Sequence, residues 1–244
     1  GLNKYNFALD AFKKTILIDQ LYADAHYYIA IINESIFKYD LAIIHYKKAK
    51  QYGTKFEDLN FRYGTLLYTM ERYQDAMNPL KDYLFIDPEN IDLLIMLGDI
   101  FFIESRYSES IDTYKRLLYD DPDNIDYNQR LAFSLYQLEL YNECIQVYNN
   151  ILSINTDDAN VMIQLAAIHY ELKNYIKSIN YYNNSIECSG GSKEIFYSLA
   201  LSYVENRDFL QALIAFKRAS SFDPEDQLIQ FQIGITLTEL ELFN

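Results

Sequence analysis

Apolar residues recur along this chain with the spacing of one helix face, not the alternation of a strand. Between residues 91 and 103, Leu94, Leu97, Gly98 and Phe101 stand at i, i+3, i+4 and i+7, which places them on a single stripe. A second stripe follows through Tyr107, Ser110, Tyr114 and Leu117. The pattern predicts pairs of amphipathic helices joined by short turns. Asn90, Asn124, Asp158, Ser192 and Asp226 stand just before the first helix of a pair, where a short side-chain acceptor can take up a free backbone N–H. Pro79 falls inside a second helix, near its start, and is expected to remove one hydrogen bond and bend the helix slightly.

The pairs repeat. Asp87-Pro88-Glu89-Asn90 returns 34 residues later as Asp121-Pro122-Asp123-Asn124, and Asp223-Pro224 stands at three further steps of the same length. At one register position the chain reads Ala30, Gly64, Gly98, Ala132, Ala166, Ala200 and Gly234. At another it reads Ala8, Ala42, Ala76, Ser110, Cys144, Ser178 and Ala212, and at a third Tyr5, Tyr39, Tyr73, Tyr107, Tyr141, Tyr175 and Phe209. Such a beat marks a repeat architecture. The small residues let two helices cross closely, where a Leu would force them apart.

On these residues the sequence resembles the tetratricopeptide-repeat family over essentially its full length. The repeats then span 23–56, 57–90, 91–124, 125–158, 159–192 and 193–226, with partial repeats at 1–22 and 227–244, all in a single domain. The Trp that the family often carries at its fourth position is replaced here, for example by His26, Leu94 and Phe196. The resemblance implies an all-α fold: a right-handed superhelical solenoid of helix-turn-helix repeats, with a concave surface lined by first helices. A helix pair cannot bury its own apolar face, so stability sums over repeats and their interfaces.

Numbered from Ala23 as position 1, first helices bury positions 4, 7, 8 and 11. Positions 5, 9 and 12 form a second stripe about 100° around the helix, toward the concave side. A merely wetted face would be polar there. Instead the stripe carries Tyr27, Phe61, Tyr68, Ile95, Phe102, Phe133, Tyr136, Tyr170 and Tyr197. These nine are the expected groove for a peptide or a partner helix, with Tyr68, Phe102, Tyr136 and Tyr170 as an aromatic ladder. The alternative is that curvature packs them against the next repeat. Position 2 holds Asp24, Asp58, Asp92, Asp126, Asn160 and Glu194. An acid in the first turn is favoured by the helix dipole, by about 0.3–1 kcal/mol, whether or not a basic partner exists.

Two specialised modes of the family do not transfer. Members that clamp a C-terminal carboxylate use Lys at positions 2 and 5, whereas position 2 here is acidic and position 5 apolar; only Arg62 and Arg130 supply charge at position 6. The asparagine ladder of the glycosyltransferase members at position 6 is also missing.

Composition narrows the function. The chain has 244 residues, with 21 Lys and Arg against 35 Asp and Glu, a formal net charge of −14. That disfavours nucleic acid as a partner and favours an apolar, basic peptide. No apolar run reaches the ~18 residues of a membrane span. Two cysteines are too few for a disulfide framework and fit a reducing, cytoplasmic setting. No spacing of His, Cys, Asp or Glu suggests a metal site, and no glycine-rich phosphate loop exists. His169 and His26 read as packed, hydrogen-bonded core residues, Cys144 as inert packing, and Gly190-Gly191 as a helix stop. No catalytic residue and no cofactor is expected. Both termini fall inside a repeat, as in a segment excised from a longer protein, with Gly1 a cloning remnant and Phe243 opening a further second helix. The expected function is a non-catalytic protein-interaction scaffold. The alternatives are the substrate-targeting arm of a larger enzyme or regulator, and a spacer that self-associates through its open ends.

Overall fold

A computed structural model describes residues 2–243, with side chains described for residues 4–241. Gly1 therefore lies outside the described residues, as does the side chain of Phe243. The described chain is all helix and turn, in fourteen helices.

Residues 1–120 form one compact unit. It contains α1 (Leu2–Ile18), α2 (Ala23–Ser35), α3 (Tyr39–Gln51), α4 (Leu59–Thr69), α5 (Tyr73–Leu84), α6 (Ile91–Ile103) and α7 (Tyr107–Asp120). Helices pack chiefly in the pairs α2/α3, α4/α5 and α6/α7, and each pair rests on the next. Residues 121–244 form the other unit, with α8 (Ile125–Gln137), α9 (Tyr141–Ile154), α10 (Ala159–Glu171), α11 (Tyr175–Ser189), α12 (Lys193–Glu205), α13 (Phe209–Ser220) and α14 (Gln227–Phe243). The pairs there are α8/α9, α10/α11 and α12/α13, with α14 packed on α13.

The expected caps are made. Asn90, Asn124, Asp158 and Ser192 each accept the N–H three residues on, and the Asp226 carboxylate accepts from Leu228 and Ile229. Every second helix from α3 to α13 opens on its aromatic residue. Helix α4 starts two residues later than the register suggests. Its would-be cap, Asp58, has its carboxylate taken by the Tyr27 hydroxyl (2.6 Å) and the Arg62 Nε (2.6 Å). Pro79 is the seventh of twelve residues in α5 rather than near its start.

The turns inside the pairs share a device that no side chain announces. Phe37, Glu71, Ser105, Glu139, Lys173 and Arg207 all have φ between 57° and 61°, each one repeat length from the next. In every case the following N–H reaches back five residues, as from Lys38 to the Asn33 carbonyl (2.8 Å) and from Asn174 to the His169 carbonyl (2.8 Å). This closes the helix end in a Schellman turn. Non-glycine residues there carry a left-handed penalty of about 1–2 kcal/mol. A β-branched residue is worse placed still, so Lys173→Val is expected to lower stability by about 1 kcal/mol in urea unfolding, while Lys173→Gly leaves it level or slightly higher. Gly190 ends α11 at φ 85°, the helix stop expected of that pair.

One register row not singled out in the sequence organises the core. Tyr46, Leu80, Tyr114, Tyr148, Tyr182 and Phe216 occupy the same place in successive second helices, and all are buried. Leu80 and Tyr114 stand at the crossing with a small residue of their own first helices. A Cβ built on Gly64 would come within 2.5 Å of Leu80 Cδ2, and one on Gly98 within 3.1 Å of Tyr114 Cζ. At Gly234, in the partial repeat, nothing lies within 4 Å of an added Cβ. Helix α14 runs unbroken to Phe243, contrary to the turn expected before that residue.

Candidate interaction face

Shape on the open face comes from clefts between neighbouring first helices. Each is made by positions 9, 12 and 13 of one helix and, on the next, by position 6 together with its neighbours. In the first unit, a cleft of about 420 Å³ between α2 and α4 is lined by residues including Ile31, Glu34, Ser35, Arg62, Thr65 and Thr69. In the second unit, one of about 290 Å³ lies between α8 and α10, lined by Gln129, Phe133, Tyr136, Asn160 and Gln164 among others. Another of about 210 Å³ lies between α10 and α12, against Ala167, Tyr170, Tyr182, Ser198 and Leu201. The two second-unit clefts fall below the roughly 300–1,000 Å³ of small-molecule pockets and suit single side chains.

The aromatic stripe is half-buried. Tyr68, Phe102, Tyr136 and Tyr170 are neither sealed in nor fully open, and Phe133 is the most exposed of the nine at 42%. Ladder rings lean edge-on against the aromatic residue opening the next helix: Tyr68 on Tyr73 (5.8 Å), Tyr136 on Tyr141 (5.8 Å) and Tyr170 on Tyr175 (5.6 Å). Such edge contacts fix a ring without covering its face. Phe61, Ile95 and Tyr197 are also half-buried, Phe61 against Tyr83 and Tyr197 against Phe216. Phe133 and Tyr136 share the α8/α10 cleft, and Tyr170 and Tyr197 line separate ones.

Tyr27 departs from the expected groove, at only 4% exposure. The loop before α4 folds over it: the Phe56 ring stacks at 4.3 Å and Asp58 accepts its hydroxyl. Burial, then the bond to Asp58, raises the Tyr27 phenol well above its usual range. Asp99, a polar interruption of the stripe, joins two helix pairs by accepting from the Tyr68 hydroxyl (2.7 Å) and the Tyr114 hydroxyl (3.0 Å). Position 2 is largely occupied by local work. Asp24 accepts from Thr54 (2.7 Å), Asp58 is taken as described, Asp126 pairs with Arg130 (3.1 Å), and Glu194 accepts from Ser192.

The cleft-lining residues that sequence reasoning missed are polar ones at the cleft edges: Glu34, Arg62 and Thr65 in the first unit, and Gln164 and Ser198 in the second. The Thr65 hydroxyl is buried with no hydrogen-bond partner, and it lines the α2/α4 cleft. Arg62, Gln164 and Ser198 share position 6, outside the stripe, while Glu34 and Thr65 hold stripe positions 12 and 9 with polar side chains.

The other candidate groups are structural. Cys144 is fully buried against the Ala132 carbonyl (3.1 Å), and burial pushes its thiol up to about 12, which suppresses the reactive thiolate. His169 is buried and stacked on Tyr181 at 5.5 Å, but its Nδ1 has no hydrogen-bond partner; the expected bond is replaced by ring packing. His26 is not an isolated core residue. Its Nδ1 lies 2.9 Å from His45 Nδ1, and its Nε2 lies 3.1 Å from the Gln20 carbonyl. Nε2 must donate to that carbonyl, so in the neutral pair His45 donates to His26. Burial first, then His26, Lys48 and Lys13, lower the His45 pKa to about 4. Unfolded His45 titrates near 6.5, so between these values the unfolded state binds the extra proton and stability falls with falling pH. The melting temperature is expected to drop from pH 7 to pH 5, and to drop less in His45→Phe. Equal slopes in the two proteins would remove the pair as the cause.

Among the described residues, no group of three or more His, Cys, Asp or Glu could hold a metal ion, and no helix is long and apolar enough to cross a membrane.

Comparison with known proteins bears on the fold and the repeat. The tetratricopeptide-repeat family model matches residues 61–125. Comparison of the sequence with curated proteins gives no match. Among solved structures, the C-terminal part of a TPR repeat-containing protein from Cytophaga hutchinsonii is similar with a TM-score of 0.62 and 18% identity, over 95% of each chain. A chain of the Naa15/Naa10 complex bound to HypK-THB gives 0.75 at 14% identity, over 96% of this chain and 37% of that one. YrrB, described as a TPR protein with an unusual peptide-binding site, gives 0.54 at 16%, over 91% and 97%. With helix pairs that turn at a constant interval, small residues at the crossings and a family match over residues 61–125, the chain carries a tetratricopeptide-repeat segment and shares the fold of tetratricopeptide-repeat structures.

Proposed function

We propose that this chain is a non-catalytic scaffold that captures an extended or helical peptide on the open face of its first helices. The observation that carries this reading is the recurrence of clefts between neighbouring first helices, edged in the second unit by Phe133, Tyr136 and Tyr170 of the aromatic stripe. A peptide lying across the helices would place successive apolar side chains in successive clefts, while tyrosine hydroxyls and the polar cleft edges meet its backbone. The net charge of −14 favours basic residues between the apolar anchors. Peptide binding by YrrB and the HypK-bound state of the Naa15/Naa10 complex support the same use of a similar fold. The Naa15/Naa10 likeness also supports the second reading, a targeting arm within a larger assembly, since this chain matches 37% of that chain.

The test is selection from a displayed library of random short peptides on the immobilised protein. Enrichment of apolar and aromatic residues spaced by basic ones is expected, with capture lost in a Phe133→Ser, Gln164→Ala double variant. Enrichment of acidic peptides, or capture indifferent to that variant, would contradict the reading.

A further inference from the structure

One cleft of the open face is not built for an apolar side chain. In the first unit, the cleft of about 420 Å³ between α2 and α4 carries opposite charges on its two walls, Glu34 from α2 and Arg62 from α4. Among the described residues the two do not pair with each other. One Glu34 oxygen accepts from the Tyr46 hydroxyl, and Asp58 takes the Arg62 Nε at 2.6 Å. A carboxylate has a second oxygen and a guanidinium has four further N–H groups, and the Arg62 side chain is 43% exposed. The Thr65 hydroxyl, buried with no hydrogen-bond partner, belongs to the same lining. Ile31 and Leu66 supply the apolar part of the wall.

This combination discriminates among side chains. An apolar occupant would strip water from both charges and return no hydrogen bond. A Lys or Arg would answer Glu34 but bring a second cation against Arg62, and an Asp or Glu would answer Arg62 but face Glu34. A neutral, planar group with an acceptor at one corner and donors at the other answers both walls, and the carboxamide of Asn or Gln is that group. Its carbonyl accepts from Arg62, its amide donates to Glu34, and the Thr65 hydroxyl can serve either end. The methylene stem then lies against Ile31 and Leu66.

We propose that the α2/α4 cleft selects an Asn or Gln side chain of the captured peptide. The inference rests on peptide capture by this face and specifies one residue of that peptide.

The experiment is three parallel selections from the random peptide library, on the native chain, on Glu34→Gln and on Arg62→Met. Glu34→Gln keeps an acceptor for Tyr46 and removes the negative charge; Arg62→Met removes the positive one and keeps the bulk of the stem. The native chain is expected to enrich Asn or Gln at one peptide position. At that position Glu34→Gln should turn the preference to Asp or Glu, and Arg62→Met should turn it to Lys or Arg. A native-selected peptide should lose about tenfold or more in affinity when that carboxamide residue is replaced by Leu, because the polar groups of the cleft are then left unpaired. Melting curves establish that the variants fold, and should one fail, the other decides alone. No carboxamide enriched on the native chain, or the same preference in all three selections, would overturn the proposal. Peptides that depend on Phe133 yet show no carboxamide preference would sink this inference alone, whereas no captured peptide at all would remove the peptide reading with it.

Discussion

Tyr46→Ala is expected to destabilise the first unit by about 3–5 kcal/mol, the range for removing a large aromatic side chain from a packed core. Tyr46 is fully buried. Its ring lies edge-on to Tyr27 at 6.3 Å and tilted to Tyr63 at 6.0 Å, so it touches first helices of two successive pairs. Its hydroxyl donates to Glu34, and burial followed by that bond raises the phenol far above its usual range. The ring and the hydroxyl can be separated. Tyr46→Phe keeps the packing and is expected to cost about 1 kcal/mol, the net worth of a single hydrogen bond. Urea denaturation followed by circular dichroism, or hydrogen exchange resolved to α2–α4, reads both. Near-equal losses for the two variants would mean that the hydroxyl, not the ring, holds the joint. Because each pair supports only its neighbours, protection should fall in the first unit before the second.

Gly64→Ala is expected to be the most damaging single methyl addition in the chain, at about 1–3 kcal/mol. The new Cβ would sit 2.5 Å from Leu80 Cδ2, 2.6 Å from Leu80 Cγ and 3.2 Å from the Leu80 backbone nitrogen. Leu80 is fully buried and cannot swing away, and the residue before it, Pro79, holds the backbone of α5 there. Shrinking the neighbour is the sharp test. Leu80→Ala leaves a cavity and lowers stability alone, but it makes room for the methyl, so the two losses together should be clearly smaller than their sum. Additive losses would show that Gly64 is needed for another reason. Gly98→Ala should be milder, since its closest contacts are 3.1–3.3 Å to side-chain atoms of Tyr114 and Thr113.

Features written as residue identity at a fixed interval are legible in the amino-acid sequence. The small residues at helix crossings, the aromatics opening second helices and the caps at Asn90, Asn124, Asp158, Ser192 and Asp226 are of this kind, because each backbone requirement selects a few side-chain types. The left-handed turn leaves no such mark, because Phe37, Glu71, Ser105, Glu139, Lys173 and Arg207 share a conformation but no chemistry. The His26–His45 pair joins different register positions, so the periodicity that reveals the fold conceals it. Tyr27 shows how a loop overrides a stripe: Phe56 and Asp58 precede the late start of α4, and they close over a ring that helix geometry placed on the open face. The clefts themselves are formed by pairs of neighbouring helices, and only the aromatic half of their lining stands out against the polar background.

The central claim, that the first-helix face captures peptide through its clefts, is tested most directly at Phe133. Its ring is 42% exposed in the α8/α10 cleft, so replacing it with serine removes little core. A peptide selected from the random library on the native protein, measured by fluorescence anisotropy, is expected to bind Phe133→Ser at least about tenfold more weakly, as befits an aromatic anchor. The variant's melting temperature should stay near that of the native protein. An unchanged dissociation constant, with the same melting temperature, would contradict the account.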